Sequence, residues 1–168
     1  MRLRRVSEHI WQVHLWRLTH GHPDHAGGVP FLARELGVPV LAHRRELPYL
    51  TGERRYPRVV AFMQPNYPGL VTPLPETAGG SLRRLGDLTP WEAAGHTPGH
   101  VVYFHERDRV LLAGDLFKVR AGKLQQLGHL YSVDKHEATR SERVLRELRP
   151  VRVETSHGGG VDDPPLGF

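Results

Sequence analysis

One short segment, residues 19–28, concentrates side chains that bind metal ions. It carries His20, His22, Asp24 and His25 in the spacing H-x-H-x-D-H, followed by two glycines. Imidazole nitrogens and carboxylate oxygens are ligands for divalent ions such as zinc, iron and manganese. Even in a chain with 12 histidines, such a string would arise by chance in roughly one chain in 400. The segment therefore predicts a metal site whose remaining ligands lie elsewhere in the sequence.

Three further candidate ligands lie beside predicted strands. His100 ends the motif Gly-His-Thr-Pro-Gly-His, Asp115 follows Ala-Gly, and His157 precedes three glycines. Because loops at one edge of a layered α/β fold are neighbours in space, we expect these residues to meet the N-terminal histidines. Taken alone, Asp115 is also typical of a turn at a strand end, and His157 of a mobile glycine-rich segment.

The elements that must position these residues are predicted from hydrophobic periodicity. The alternation of residues 10–18 predicts a strand running into His20, and Pro30 and Gly37 mark the start and end of a helix. A short strand is predicted over residues 38–42 and a second helix over 44–50. Residues 51–80 are rich in proline and are predicted to be mostly loop, forming a lid or pocket wall.

The second half of the chain has stronger signals. Residues 101–104 and 110–113 predict two strands of a hairpin, and residues 151–155 predict a last strand. Asp134 and Glu137 predict a capping box at the start of a helix that continues to Leu148. The alternation of strands and helices predicts an α/β fold, and the length favours one domain over residues 1–168.

Composition restricts the function. The chain has no cysteine, so disulfides and thiolate ligands are excluded, and any metal must be held by nitrogen and oxygen. The net charge of +5 comes mainly from arginines spread along the sequence, which favours small anionic substrates weakly and argues against nucleic acid as a partner. No apolar run approaches the roughly 18 residues of a membrane span, and no apolar signal core follows the first arginines. We therefore expect a cytoplasmic protein without a membrane partner.

The H-x-H-x-D-H string, the Gly-His-Thr-Pro-Gly-His turn, Ala-Gly-Asp and Ser-His-Gly together resemble the metallo-β-lactamase superfamily, closest to its hydroxyacylglutathione hydrolase and lactonase-like branches. The resemblance extends from Thr19 to His157. It implies an αββα sandwich. It also implies a metal-binding set of seven residues, which are His20, His22, Asp24, His25, His100, Asp115 and His157.

Within this set, the resemblance implies that His20, His22 and His100 hold one ion and that Asp24, His25 and His157 hold a second. Asp115 would bridge them, and His96, the first histidine of the turn, would not be a ligand. Zinc is the leading metal, with iron and manganese as alternatives. The resulting hypothesis is a hydrolase of ester, thioester or lactone bonds in small substrates, using a hydroxide shared by two ions and oriented by the catalytic residue Asp24.

The chain departs from the family pattern ahead of the histidine string. The family places two strands and a helix there, whereas only nineteen residues precede His20, a shortfall on the order of 30 residues. We predict an internal deletion near Trp16-Arg17 and a truncated N-terminal sheet. This leaves open a naturally shortened protein that dimerises, an edited chain, or a decayed copy that binds metal poorly. The alternative function is a non-catalytic, metal-stabilised domain that acts through self-association.

Overall fold

The computed structural model of the chain describes residues 3–8, 11–13, 19–37, 39–56, 64–128 and 131–167. These residues form eleven short strands and five short helices. The strands are β1 Leu3–Arg5, β2 Trp11–Val13, β3 Val40–Ala42, β4 Val71–Pro73, β5 Leu88–Glu92, β6 Val101–His105, β7 Val110–Gly114, β8 Phe117–Arg120, β9 Lys123–Gln126, β10 Arg152–Thr155 and β11 Gly160–Asp162. The helices are α1 Pro23–Ala26, α2 Val29–Leu36, α3 Leu47–Leu50, α4 Lys135–Ser141 and α5 Val144–Leu148.

A five-stranded mixed sheet of order β11-β10-β7-β6-β5 is the largest unit of the described chain. β5, β6 and β7 form an antiparallel meander, β7 and β10 pair in parallel, and β11 pairs antiparallel at the edge. The parallel pair requires a crossover, which α4 and α5 supply between β9 and β10. Because β7 and β10 run in the same direction, Asp115 and His157 emerge at the same end of the sheet.

Three two-stranded sheets complete the described structure. β1 pairs with β2 and β8 with β9, both antiparallel, while β3 and β4 pair in parallel. The predicted strand over residues 10–18 is observed as β2, and residues 14–18 lie outside the described part of the chain. The predicted deletion at Trp16-Arg17 falls in that range and stays a prediction.

The buried apolar residues of the described chain form two clusters. The larger packs the five-stranded sheet against α5 and the β8–β9 hairpin, with Leu111, Phe117 and Leu145 fully buried at its centre. The smaller packs α2 and α3 against β3 and β4 around Ala26 and Leu50. Since α1 carries Ala26 and the Asp24-His25 pair, its burial in the smaller cluster fixes the position of part of the histidine string.

Helix ends follow the sequence signals. The Asp134 carboxylate accepts hydrogen bonds from the backbone N–H groups of His136 and Glu137, both at 2.9 Å, so the predicted N-cap is confirmed. The reciprocal half of the capping box is not formed, because the Glu137 carboxylate binds Arg45 and the N–H of Asp134 donates to the carbonyl of Gly95. Gly37 ends α2 in the left-handed region with a φ of 61°, as predicted. The single helix predicted from Asp134 to Leu148 is wrong, because the chain forms two helices joined at Glu142 and Arg143.

Several strands were not foreseen. β4 lies in the stretch predicted to be loop, and β1, β5, β8, β9 and β11 have no counterpart in the sequence-based prediction. Most of these strands contain proline, lysine or glycine, which have low strand propensity, and pairing with neighbours overrides that propensity. The mixture of sheets and helices agrees with the predicted α/β class. Among the described helices, none is both long enough and apolar enough to span a bilayer.

Candidate metal centre

The histidine string folds into a tight turn and the short helix α1. The backbone is extended at His22, the N-cap of α1, and Pro23 supplies the first helical turn. The N–H groups of His25 and Ala26 both donate to the carbonyl of His22, at 2.9 and 2.8 Å. This helical turn, which the sequence-based prediction did not include, brings the His25 imidazole back beside His20, with ring centroids 4.1 Å apart.

A first group of ring nitrogens consists of His20, His22 and His96. The Nε2 atom of His96 lies 3.1 Å from Nε2 of His20 and 3.0 Å from Nδ1 of His22. All three side chains are buried. Three imidazoles that direct nitrogens at one point, within 4.8 Å of one another, form an arrangement that can hold a metal ion.

A second group consists of Asp24, His25 and His157. Oδ2 of Asp24 lies 3.4 Å from Nε2 of His25 and 3.5 Å from Nε2 of His157. The side chains of Asp24 and His157 are about half exposed, at 53% and 52%, whereas His25 is buried. This group therefore faces solvent on one side.

The Asp115 carboxylate lies between the two groups. Its Oδ2 atom is 3.3 Å from Nε2 of His96 and 3.4 Å from Nε2 of His157, and its Oδ1 atom is 3.4 Å from Nε2 of His25. Oδ2 is also 3.9 Å from Nε2 of His20. One carboxylate is thus in reach of ligands from both groups, which is the placement that a bridging ligand needs.

Local backbone geometry at the end of β7 delivers Asp115 to this point. Gly114 has a φ of 54°, and a Cβ atom there would overlap Thr19 Oγ1 and come 2.8 Å from Nε2 of His100. Glycine is needed both for the positive φ and for the close packing. The carbonyl of Gly114 accepts from the N–H of Ser156 at 3.1 Å, which ties β7 to the segment that carries His157.

His100 occupies a different position from the one the family resemblance implies. It is fully buried, and its Nε2 atom accepts a hydrogen bond of 3.1 Å from the backbone N–H of Asp115. The structure places His96 in the first group. His100 contacts the backbone of Asp115 instead, and its ring centroid lies 5.1 Å from that of His20. The resemblance excludes His96 as a ligand, although the sequence offers a signal for it, namely its position four residues before His100 in the same glycine-bounded turn.

Burial makes the first group electrically neutral. Burial lowers the pKa of His22 to about 3, and it lowers the pKa of His20 and of His96 below the ordinary value, with the neighbouring imidazoles adding to the effect for His20 and His22. Burial also lowers the pKa of His100 to about 3. These imidazoles are therefore unprotonated near neutral pH, which is the form that binds metals.

The carboxylates of Asp24 and Asp115 determine the protonation states in the second group. Hydrogen bonds to Asp115 and Asp24 raise the pKa of His157 to about 10. Burial opposes protonation of His25, but its hydrogen bonds to Asp115 and Asp24 outweigh that effect and raise its pKa to about 9. Hydrogen bonds from His157 and His25 hold the pKa of Asp24 well below its ordinary value, so this carboxylate is ionised at neutral pH.

The residues present fit divalent metal ions. Nε2 of His96 faces both Nε2 of His20 and Nδ1 of His22, at 3.1 and 3.0 Å, and one N–H cannot pair all three converging ring nitrogens. A buried polar atom of this kind is costly unless a ligand satisfies it. The donor set of imidazole nitrogens and carboxylate oxygens suits zinc, iron or manganese.

A shallow cleft adjoins this centre. It is lined by His96 and Asp115 together with Gln126 of β9 and with Lys135 and Glu142 of the α4 region. Gln126 donates a hydrogen bond of 2.9 Å to the Glu142 carboxylate across the cleft. The cleft thus joins the candidate metal ligands to a polar wall that carries one ammonium group.

Comparison with known proteins identifies the family. The profile of the metallo-β-lactamase superfamily matches residues 1–158. The chain belongs to the metallo-β-lactamase superfamily. The membership inferred from the motifs is therefore confirmed.

Two curated relatives are similar over most of this chain. A probable metallo-hydrolase of Bacillus subtilis, YybB, is 38% identical over 141 residues, which covers 84% of this chain and 62% of the relative. A hydroxyacylglutathione hydrolase of Methylobacterium nodulans is 31% identical over 129 residues, covering 74% of this chain and 42% of the relative. The chain thus spans between about two fifths and three fifths of the length of these relatives.

Solved structures agree on the fold. The structure of TTHA1623 in a di-iron-bound form superposes with a TM-score of 0.65 at 29% identity, covering 88% of this chain and 74% of that chain. The DIM-1 metallo-β-lactamase superposes with a TM-score of 0.61 at 19% identity, covering 88% of this chain and 61% of that chain, and shows the fold alone. The predicted α/β class of the metallo-β-lactamase type is confirmed.

Proposed function

We propose that this protein is a di-metal hydrolase that cleaves an ester, thioester or lactone bond in a small substrate. The observation that carries the proposal is the position of Asp115, whose carboxylate lies within 3.4 Å of nitrogens from both ligand groups. A structural ion needs only one closed ligand set, whereas two adjoining sets with a shared carboxylate suit a pair of ions. The relatives named metallo-hydrolase and hydroxyacylglutathione hydrolase support hydrolysis as the reaction class.

Two bound divalent ions would supply a water of lowered pKa, polarise the scissile carbonyl and stabilise the leaving oxygen or sulfur. The first group with Asp115 would hold one ion, and the second group with Asp115 the other. We propose zinc as the physiological metal, with iron and manganese as alternatives, because the ligand types accept all three.

Asp24 is the residue we assign to orienting the attacking water. Its side chain is half exposed at the open face of the second group, and its carboxylate is ionised near neutral pH. A carboxylate in that position can accept a hydrogen bond from water while its Oδ2 atom remains in reach of an ion held by His25 and His157. No side chain of the protein needs to act as a covalent nucleophile in this scheme.

The cleft beside His96 and Asp115 would receive the rest of the substrate. Lys135 also lines this cleft, so an anionic substituent on the substrate would gain from its ammonium group. We propose a small substrate on the ground of the reaction class, and its size is not set by the cleft.

The test is metal analysis combined with a substrate panel. The protein is prepared with zinc, iron or manganese, its metal content is measured, and a hydroxyacyl thioester, a lactone and an aryl ester are assayed. Two ions per chain with turnover of at least one substrate class would support the proposal. One ion per chain, no turnover and a concentration-dependent dimer would favour the alternative of a metal-stabilised domain acting through self-association.

A further inference from the structure

Glu46 is a fully buried carboxylate outside the ligand groups. It precedes α3, and both of its carboxylate oxygens accept hydrogen bonds. Oε1 accepts from the backbone N–H of Gly21 at 2.9 Å and from the hydroxyl of Tyr56. Oε2 accepts from the hydroxyl of Thr97 at 2.9 Å and from the backbone N–H of Gly99 at 2.8 Å.

The two ends of this network belong to the two loops that form the first group. Gly21 lies between His20 and His22, and Thr97 directly follows His96. These loops are more than 70 residues apart in sequence, since His22 and His96 have a separation of 74. Oε1 binds the first loop and Oε2 binds the second, so a single side chain bridges them, beside one backbone hydrogen bond of 3.2 Å from the N–H of Val101 to the carbonyl of Thr19.

The packing around Glu46 leaves little freedom to either loop. A Cβ atom on Gly99 would overlap the backbone nitrogen of Glu46, and one on Gly21 would overlap the Tyr56 hydroxyl. The Tyr56 ring also contacts the His22 ring edge-to-face, with centroids 5.0 Å apart. The glycines therefore allow the close approach that brings backbone N–H groups to the carboxylate.

A buried carboxylate is costly, so four hydrogen-bond donors are needed to stabilise it. A carboxylate with donors from two loops transmits any change in its size or charge to both. Residues that hydrogen-bond around a metal site in this way affect metal affinity by roughly 10-fold to 100-fold when they are replaced.

We infer that Glu46 is a positioning residue that holds the His20-His22 loop and the His96 loop at the spacing the first metal ion requires. This inference rests on the metal-binding part of the proposed function and is independent of the hydrolysis reaction. Glu46 touches neither ion nor substrate in this scheme, and it acts through Gly21, Thr97 and Gly99.

The test uses cobalt(II) as the probe, because its visible absorption reports the geometry of its ligands. The metal-free protein is titrated with Co²⁺, and the affinity and spectrum are recorded for wild type, E46Q and E137Q. In E46Q an amide N–H₂ group replaces one carboxylate oxygen and faces the hydrogen-bond donors of one loop. We therefore expect the affinity for the first ion to fall roughly 10-fold or more and the cobalt spectrum to change. E137Q makes the same chemical change at the exposed partner of Arg45 and should leave both unchanged.

A milder pair of variants covers the case in which E46Q does not fold. T97V removes one hydrogen bond to Oε2 at nearly constant volume, and T72V makes the same replacement in β4, where the hydroxyl contacts the carbonyl of Val40. We expect T97V to weaken Co²⁺ binding severalfold and to shift the visible absorption. T72V should behave as wild type in both measurements.

A wild-type cobalt spectrum and affinity in folded E46Q, or in T97V, would overturn the inference and reduce Glu46 to a core residue. These readouts do not depend on turnover. If the wild type binds two cobalt ions and hydrolyses nothing in the panel, the proposed reaction fails while the role of Glu46 is still decided by the spectra.

Discussion

The two ligand groups differ in how the protein prepares them for a metal ion. The first group is buried, consists only of imidazoles and is neutral near pH 7. The second group is open to solvent through Asp24 and His157, and its histidines carry protons that Asp24 and Asp115 stabilise. One chain can therefore form a buried, unprotonated site and an adjoining, solvent-accessible site around a single carboxylate.

The groups also differ in what holds them. The loops of the first group are joined by the buried Glu46 carboxylate. In the second group, α1 carries Asp24 and His25, while the carbonyl of His157 accepts a hydrogen bond of 2.9 Å from the N–H of Val119 in β8. The predictions below test whether these two constructions give two different metal sites.

Asp115→Ala should have the largest effect, because this carboxylate reaches both groups. We expect the variant to lose turnover by on the order of 10³-fold or more and to bind less than two ions per chain. Metal analysis and steady-state kinetics measure both quantities. Asp87→Ala, at an exposed ion pair with Arg84, is the control. Retention of two ions and of activity in Asp115→Ala would show that the groups do not share a ligand.

The two groups should differ in the number of protons that they release when a metal ion binds. His25 and His157, with pKa values raised to about 9 and about 10, must each lose a proton before an ion binds near pH 7. The affinity of the second group should therefore rise with pH, by up to about 100-fold per unit below pH 9, while that of the first stays nearly constant above pH 6.5. Calorimetric titration of the metal-free protein with Zn²⁺ in buffers of different ionisation enthalpy counts these protons. Equal release for both ions would contradict the comparison.

The shifted histidine pKa values also predict how the stability of the metal-free protein changes with pH. A raised histidine pKa contributes stability that is fully present below the unfolded value of about 6.5 and is lost as the pH rises through 9 to 10. The lowered pKa of the first-group histidines acts in the opposite direction, with stability lost as the pH falls below about 6.5. Stability therefore rises with pH up to about 6.5 and falls above it, so denaturant unfolding between pH 5 and 10 should show a maximum near pH 6.5.

Separate replacements of His96 and His100 test which of the two histidines belongs to the first group. His96→Ala should weaken the first ion by roughly 100-fold or more, because the variant loses a direct ligand and not an outer partner, which costs roughly 10-fold to 100-fold. His100→Ala should have a smaller effect on that ion, because its Nε2 is bonded to the N–H of Asp115. A larger loss in His100→Ala would restore the assignment that the family resemblance implies.

Gly158→Ala should have the smallest effect and should reach only the second group. A Cβ atom there would overlap the carbonyl oxygen of Val119, so the loop that carries His157 must shift. Gly159 also has a positive φ, at 94°, but a Cβ on it would meet nothing within 4 Å. Gly158→Ala should therefore weaken the second ion severalfold more than Gly159→Ala, measured by Zn²⁺ titration. Equal effects would assign the change to backbone strain alone.

Much of the centre could be predicted from residue type and spacing. The H-x-H-x-D-H string, Asp115 and His157 converge because they sit at turns that short-range signals mark, namely proline, glycine and strand ends. The structure brings together six of the seven predicted residues, namely His20, His22, Asp24, His25, Asp115 and His157, and adds His96. Metal identity and the assignment of each ligand stay predictions.

Other features were not accessible from periodicity. Glu46 lies in a segment predicted as helix, and nothing in its neighbours indicates that its carboxylate would receive donors from Gly21 and Thr97. β8 and β9 were missed, although β8 supports His157. In both cases the decisive partners are distant in sequence.

The sequence by itself determined the family, the α/β class and the concentration of nitrogen and oxygen ligands, because these depend on local spacing and residue chemistry. Only the tertiary structure decided which histidine of the turn joins the first group, which side of the centre is open, and which buried carboxylate connects the loops. Side-chain direction, burial and the resulting protonation states depend on packing between segments far apart in the chain, and no local pattern encodes them.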